Sequence, residues 1–152
     1  MAEESSVTDA ARLQDDVTPF FTVSTAIHMA DTDAAQVLYF AQQFDIAHRV
    51  YEAMMESLGS PLGPMLRAGA MGLPIVHAEG DYRRPLRLSD AIEVGVGVAA
   101  LSERSFTLQY RITHGESVAA IVRTKHVCID ATTGRPMALP DALRVPLAEA
   151  LR

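Results

Sequence analysis

The sequence holds a single cysteine, Cys128, and fewer basic than acidic side chains: 13 Lys and Arg against 19 Asp and Glu, a formal net charge of -6. One cysteine excludes an intrachain disulfide framework and cannot build a zinc site alone, so Cys128 is expected in the core. The acidic balance argues against nucleic acid as a partner, since phosphate neutralisation needs surplus Lys and Arg. No run approaches the roughly 20 apolar residues of a bilayer-crossing helix, so no membrane partner is expected either. The opening stretch MAEESSVTDAARLQDD lacks the basic-then-apolar layout of a secretory signal, and a cytoplasmic location is expected.

Familiar catalytic signatures are missing too. Gly59-Ser60-Pro61 lacks the second glycine of a G-x-S-x-G elbow, and Ser117 sits in a strand pattern. Gly95-Val96-Gly97 lies inside a strand pattern and opens no phosphate loop. His28, His48, His77, His114 and His126 form no H-E-x-x-H. His77 and His126 alternate within strand patterns and read first as structural, with His77 a candidate to border a ligand. No metal and no cofactor is therefore expected.

What is present organises as one domain. A hydrophobic fraction of 49% is too high for a disordered chain, and the length suits a single core. Residues 1–16 read as a flexible acidic tail and 17–152 as the domain. Phe21, Val23, Thr25 and Ile27 alternate with Phe20, Thr22, Ser24 and Ala26, so both faces are apolar or small. That suits a central, covered strand. From Tyr39 to Leu58 the period becomes helical, with Phe40, Phe44, Ala47, Tyr51, Met54 and Leu58 on one face, and Gly59 and Pro61 ending it. Asp45 and Arg49 are placed for an i,i+4 pair. Four strand patterns follow: 75–82, 92–98, 106–113 and 117–129. In the second, Ile92, Val94, Val96 and Val98 oppose a face left bare by Gly95 and Gly97, on which the long helix is expected to pack. Residues 140–152 read as a short terminal helix. The order predicts an α+β fold, a five-stranded antiparallel sheet with one long helix. One helix cannot cover such a sheet, so a second subunit is expected.

The candidate chemistry lies at Asp31-Thr32-Asp33, between the first strand and the long helix. Two carboxylates there can cap the turn and complement the helix dipole. A calcium loop fails, because Ala35 and Gln36 occupy its later positions.

The stretch from Asp31 to Phe40, DTDAAQVLYF, resembles the D-x-D-x-x-G-x-V-Y-[FH] signature of the 4-hydroxybenzoyl-CoA thioesterase family of hot-dog proteins. Gly72-Leu73-Pro74-Ile75-Val76, Tyr82 with Pro85 and Ser89-Asp90, Arg104-Ser105-Phe106 and Thr133-Gly134-Arg135-Pro136 extend the likeness over roughly residues 18–140. Tyr39-Phe40-Ala41-Gln42-Gln43, Ile46-Ala47-His48 and Tyr51-Glu52 look most like the dihydroxynaphthoyl-CoA thioesterases.

The resemblance implies a hot-dog fold and hydrolysis of an aromatic acyl-CoA, with coenzyme A entering as part of the substrate. It makes Asp33 the catalytic carboxylate, as base or nucleophile, with Asp31 a structural partner. The thioester carbonyl is expected against the backbone amides of Tyr39 and Phe40 at the helix start. Arg104 and Ser105 are expected at the nucleotide, with Arg83, Arg84, Arg87, Arg123 and Lys125 as further cations. Gln36 stands where the family often has Gly, so it either adopts φ > 0 under strain or lends its amide to the pocket. A homodimer, assembling as a dimer of dimers, is expected. The alternative is a hot-dog acyl-CoA sensor or scaffold that binds without cleaving.

Overall fold

The structure, a computed structural model, describes residues 12–151. Strand β1 (Phe21–Ala26) leads through a 3-10 turn (Met29–Asp31) to helix α1 (Gln42–Ser57) and the short helix α2 (Leu62–Ala68). There follow β2 (Met71–Gly72), β3 (Ile75–Tyr82), β4 (Ala91–Leu101), β5 (Ser105–His114), β6 (Ser117–Val127), β7 (Ile129–Asp130) and helix α3 (Asp141–Ala150). Five strands form one sheet in the order β1-β4-β5-β6-β3, every neighbouring pair antiparallel. Strands β2 and β7 pair separately.

Helix α1 lies against the inner face of this sheet. Its buried stripe is Gln43, Ile46, Ala47, Val50, Tyr51, Met54 and Met55. The stripe is rotated from the expected one: Phe40 precedes the helix and is exposed, while Phe44 and Leu58 are only partly covered. The cause is the start of α1 at Gln42, so the chain from Tyr39 to Ala41 turns before it coils. The end is well specified. Gly59 adopts φ 80, its N–H donates to the Glu56 carbonyl (3.0 Å), and the Ser60 N–H reaches back to Met55 (2.9 Å). This is a Schellman ending, and it satisfies carbonyls the helix cannot. The start has no such provision, since Ala41 at the N-cap offers no side-chain acceptor. The expected pair of Arg49 and Asp45 forms at 2.9 Å.

Two expectations are corrected. Strand β1 is an edge of the sheet with alternating exposure, because its small residues bury little on the outer side. Gly95 and Gly97 face away from α1. A Cβ on Gly95 would come within 2.8 Å of the Pro19 ring, and one on Gly97 within 2.5 Å of the Thr18 carbonyl oxygen. The bare face therefore receives the segment before β1.

That segment, Arg12–Pro19, crosses the outer face as a strap. Leu13 is buried, its N–H donates to the Asp81 carboxylate, and its carbonyl accepts from Arg83 (2.6 Å). Gln109 donates to the Gln14 carbonyl at 3.0 Å. Asp15 pairs with Arg111 at 2.6 Å and Asp16 with Arg123 at 3.1 Å. Residues 12–16, read as the end of a flexible tail, are thus laid on the sheet; the rest of that stretch lies outside the described residues. Period-2 patterning identifies two faces of a strand but not what covers each, and acidic composition concealed the partners of Asp15 and Asp16.

Candidate functional site

The chain between β1 and α1 doubles back on itself. Tyr39 N–H donates to the Asp31 carbonyl (2.9 Å), Thr32 bridges Leu38, and Asp33 N–H donates to Val37 (2.9 Å). The tip is closed by Gln36 N–H to the Asp33 carbonyl at 2.9 Å, which requires the left-handed backbone found at Gln36, φ 63. This is the strained alternative of the two considered for Gln36. Its carbonyl also accepts from Leu88 (3.2 Å), and Leu38 N–H donates to Leu86 (2.7 Å), so the narrow hairpin is tied to the chain between β3 and β4.

The two carboxylates differ. Asp31 is buried, and its Oδ2 accepts the His28 N–H at 2.9 Å. Asp33 is exposed at the tip. Its Oδ1 accepts from Ala35 N–H (2.8 Å) and Val37 N–H (3.4 Å), which orients the carboxylate and leaves Oδ2 free of partners among the described residues. One oxygen held by the loop and one open is the arrangement a base or nucleophile needs.

The helix start supplies the complement. Phe40 and Ala41 N–H groups donate to no acceptor among the described residues, and they lie at the positive end of a 16-residue helix. Tyr39 is corrected on this point: its N–H is consumed by Asp31, because it closes the hairpin. Phe40 is held from the other side, where the Tyr82 hydroxyl of β3 donates to its carbonyl. Tyr82 was not foreseen in this contact; only its position in the Tyr82 to Pro85 motif hinted at it. The Tyr39 and Phe40 rings stand 4.6 Å apart, and with Tyr82 they form an exposed aromatic group beside the helix start.

A cavity of about 290 Å³ adjoins the hairpin, bounded by Leu38, Tyr82, Arg83, Arg84, Leu86 and Ala120 among others. Arg83 and Arg84 also border a second cavity, of about 750 Å³, with Arg12. Other expected contacts lie apart from the hairpin. Arg104 and Ser105 sit at the β4–β5 turn, and that end of the sheet is opposite the Ala26 and Ala91 end that carries the hairpin. At about 3.3 Å per residue the 11-residue β4 separates them by roughly 30 Å within one chain. His77 is exposed on β3, an edge strand, with Glu79 at 3.7 Å. Arg123 is engaged by Asp16 and by Gln109 Oε1 at 2.5 Å. Among the described residues no cluster of three or more His, Cys, Asp or Glu could hold a metal, and no helix is long and apolar enough to cross a membrane.

Deeper in the fold, His126 is fully buried. It stacks on Phe106 (4.8 Å), lies tilted against Tyr51 (4.4 Å), and its Nε2 meets the Thr124 hydroxyl at 2.9 Å. Burial pulls its pKa down to about 4, only partly opposed by the Leu73 carbonyl near Nδ1. It is a neutral core residue, as its strand pattern predicts. Cys128 is buried as well.

Comparison with known proteins adds a second line of observation. A family model described as the thioesterase-like superfamily matches residues 27–147. The 1,4-dihydroxy-2-naphthoyl-CoA hydrolase of Synechococcus elongatus is 40% identical over 119 residues, covering 78% of this chain and 88% of the relative. That of Microcystis aeruginosa is 39% identical over 118 residues, covering 78% and 86%. The crystal structure of a 1,4-dihydroxy-2-naphthoyl-CoA thioesterase from Synechocystis superposes with a TM-score of 0.80 at 30% identity, covering 85% of this chain and 96% of that one.

Proposed function

The chain belongs to the thioesterase-like superfamily, and from that premise we infer that its hairpin and helix start form the active site of an aromatic acyl-CoA thioesterase. The sheet laid on its long helix is the hot-dog fold. The enzyme hydrolyses the thioester to a free acid and coenzyme A. The relatives' names point to 1,4-dihydroxy-2-naphthoyl-CoA, a step of quinone biosynthesis, as the substrate.

The observation that carries the site assignment is the pairing of an exposed, half-tethered Asp33 carboxylate with the unpartnered Phe40 N–H on one short hairpin. The thioester carbonyl accepts the Phe40 amide, and the helix dipole stabilises the negative charge that develops on its oxygen. Asp33 Oδ2 takes a proton from the attacking water, or attacks the carbonyl carbon itself to give an anhydride that water then opens. Either way the C–S bond breaks, the thiol leaves with a proton, and the carboxylate is regenerated. Coenzyme A takes part only as a portion of the substrate, and no other cofactor is invoked. Arg83 and Arg84, which line both cavities, are the cations proposed for its phosphates.

The working unit proposed is a homodimer joined along β3, whose outer edge is unpaired among the described residues and exposes Ile75 and Val76. Pairing there would bring a partner's strand beside His77 and a second wall to the site. Two such dimers would make the tetramer, in the cytoplasm. Light scattering over a dilution series tests the assembly. The activity is tested by comparing kcat/KM over aromatic and straight-chain acyl-CoA esters. Preference for medium-chain aliphatic esters would remove the aromatic assignment, and binding without hydrolysis would leave a sensor.

A further inference from the structure

The described residues contain three buried side-chain polar atoms with no hydrogen-bond partner, and two of them belong to one residue, Gln43. Its amide nitrogen and oxygen are both orphaned although the residue is fully buried. An amide kept dry and unpaired is costly, and an apolar side chain of the same shape would be cheaper for folding alone. Gln43 therefore fits a role that a partner outside this chain completes.

Its position says which partner. The amide lies directly over Gly80 of β3, so close that a Cβ on Gly80 would collide with the nitrogen. Gly80 pairs with Val122, and the next pair on the same face is Tyr82 with Ala120. Tyr82 and Ala120 bound the 290 Å³ cavity, and Tyr82 is the residue that holds the Phe40 carbonyl. One step of two residues along a strand is about 7 Å. The orphan amide thus lies over the strand pair one such step beyond the cavity wall.

We propose that Gln43 is a specificity-determining residue: its amide forms the polar inner end of the acyl site and hydrogen-bonds a ring hydroxyl of the aromatic acyl group. This rests on the thioesterase reading above. The glycine at position 80 makes room for the amide, and the ring enters by displacing Tyr82 and the neighbouring wall.

The test uses two CoA esters that differ by one hydroxyl on the side of the ring away from the thioester, 4-hydroxy-2-naphthoyl-CoA and 2-naphthoyl-CoA, and the full chain. Wild type is expected to prefer the hydroxylated ester in kcat/KM by about 10- to 100-fold, the scale for a site built to pair a substrate hydroxyl. Gln43→Met keeps length and volume but removes both orphans; its preference should collapse towards one, while Tm stays level or rises by a few degrees. Gly80→Ala, which pushes the amide aside with Gln43 still present, should lose the preference too. Tyr51→Phe removes the third orphan atom, two turns further along α1, and should keep the wild-type preference. A Gln43→Met protein that retains the preference, or a wild type that shows none, overturns the proposal. A Gln43→Met protein that merely melts lower with its preference intact assigns Gln43 to structure and overturns it equally. A wild type that hydrolyses neither ester refutes the aromatic part of the thioesterase reading, and this inference with it.

Discussion

Asp33→Asn separates the two roles a carboxylate can play at the hairpin tip. Asn keeps an oxygen where Oδ1 stands, so the bonds from Ala35 N–H at 2.8 Å and Val37 N–H at 3.4 Å survive. Asn serves such turns about as well as Asp, and the site is exposed, so Tm should move by less than about 3 °C. What disappears is the free, charged Oδ2. If it takes the proton or makes the bond, kcat should fall by about 10²–10⁴-fold, which corresponds to about 2.7–5.4 kcal/mol of transition-state stabilisation. KM should change much less, because the loss is felt in the transition state. Asp31→Asn is the control: its carboxylate is buried on the His28 N–H, so its effect should appear more in Tm than in kcat. Steady-state kinetics and melting curves on both variants decide the matter. An Asp33→Asn enzyme with wild-type turnover would refute the mechanism, whatever happened to its stability.

Gln36→Gly relieves a left-handed backbone at φ 63 and should stabilise by about 0.5–1 kcal/mol, read by urea unfolding. His126 has its pKa lowered to about 4 in the fold against about 6.5 unfolded, so the unfolded chain binds the extra proton between those values. Its contribution is complete above about pH 6.5 and is lost as pH falls towards 4, by about 3 kcal/mol in all; Tm against pH should be flatter in His126→Gln over that window. Gly97→Ala drives a methyl to within 2.5 Å of the Thr18 carbonyl oxygen, and should cost about 1–3 kcal/mol while speeding hydrogen exchange in residues 12–19.

Much of this architecture is legible in the residues. Alternation gave β4, β5 and β6, because sheets buried on one face select for it, and the stop at Gly59 marked the end of α1. The D-x-D stretch drew attention to Asp33, and the departure from glycine at Gln36 pointed to the positive φ that is found. Hydrogen-bond ownership was not legible. Which of the Tyr39 and Phe40 amides is free depends on how the hairpin closes, and Tyr39 is spent on Asp31. Tertiary placement was also hidden: Arg104 and Ser105 look local to a motif, yet strand β4 carries them away from Asp33. Gln43 had a signal, a polar residue in an otherwise apolar helical stripe, but only once the stripe's true rotation is known.

The strap has a consequence for how this protein presents itself to solvent. Arg111 and Arg123 stand on adjacent strands of the outer face, beside the fully buried Ile121, and Asp15 and Asp16 are their counter-charges. The superfamily match begins only at residue 27, so a chain trimmed to it would lose the strap together with β1. Its back would become a cationic, partly oily plate on an otherwise acidic molecule. Such a fragment would cling to polyanions, whether nucleic acid in an extract or the beads of a cation-exchange column, while the full chain would not. Asp15 and Asp16 are in this sense built-in counter-ions, and they belong to the surface chemistry of the enzyme as much as to its fold.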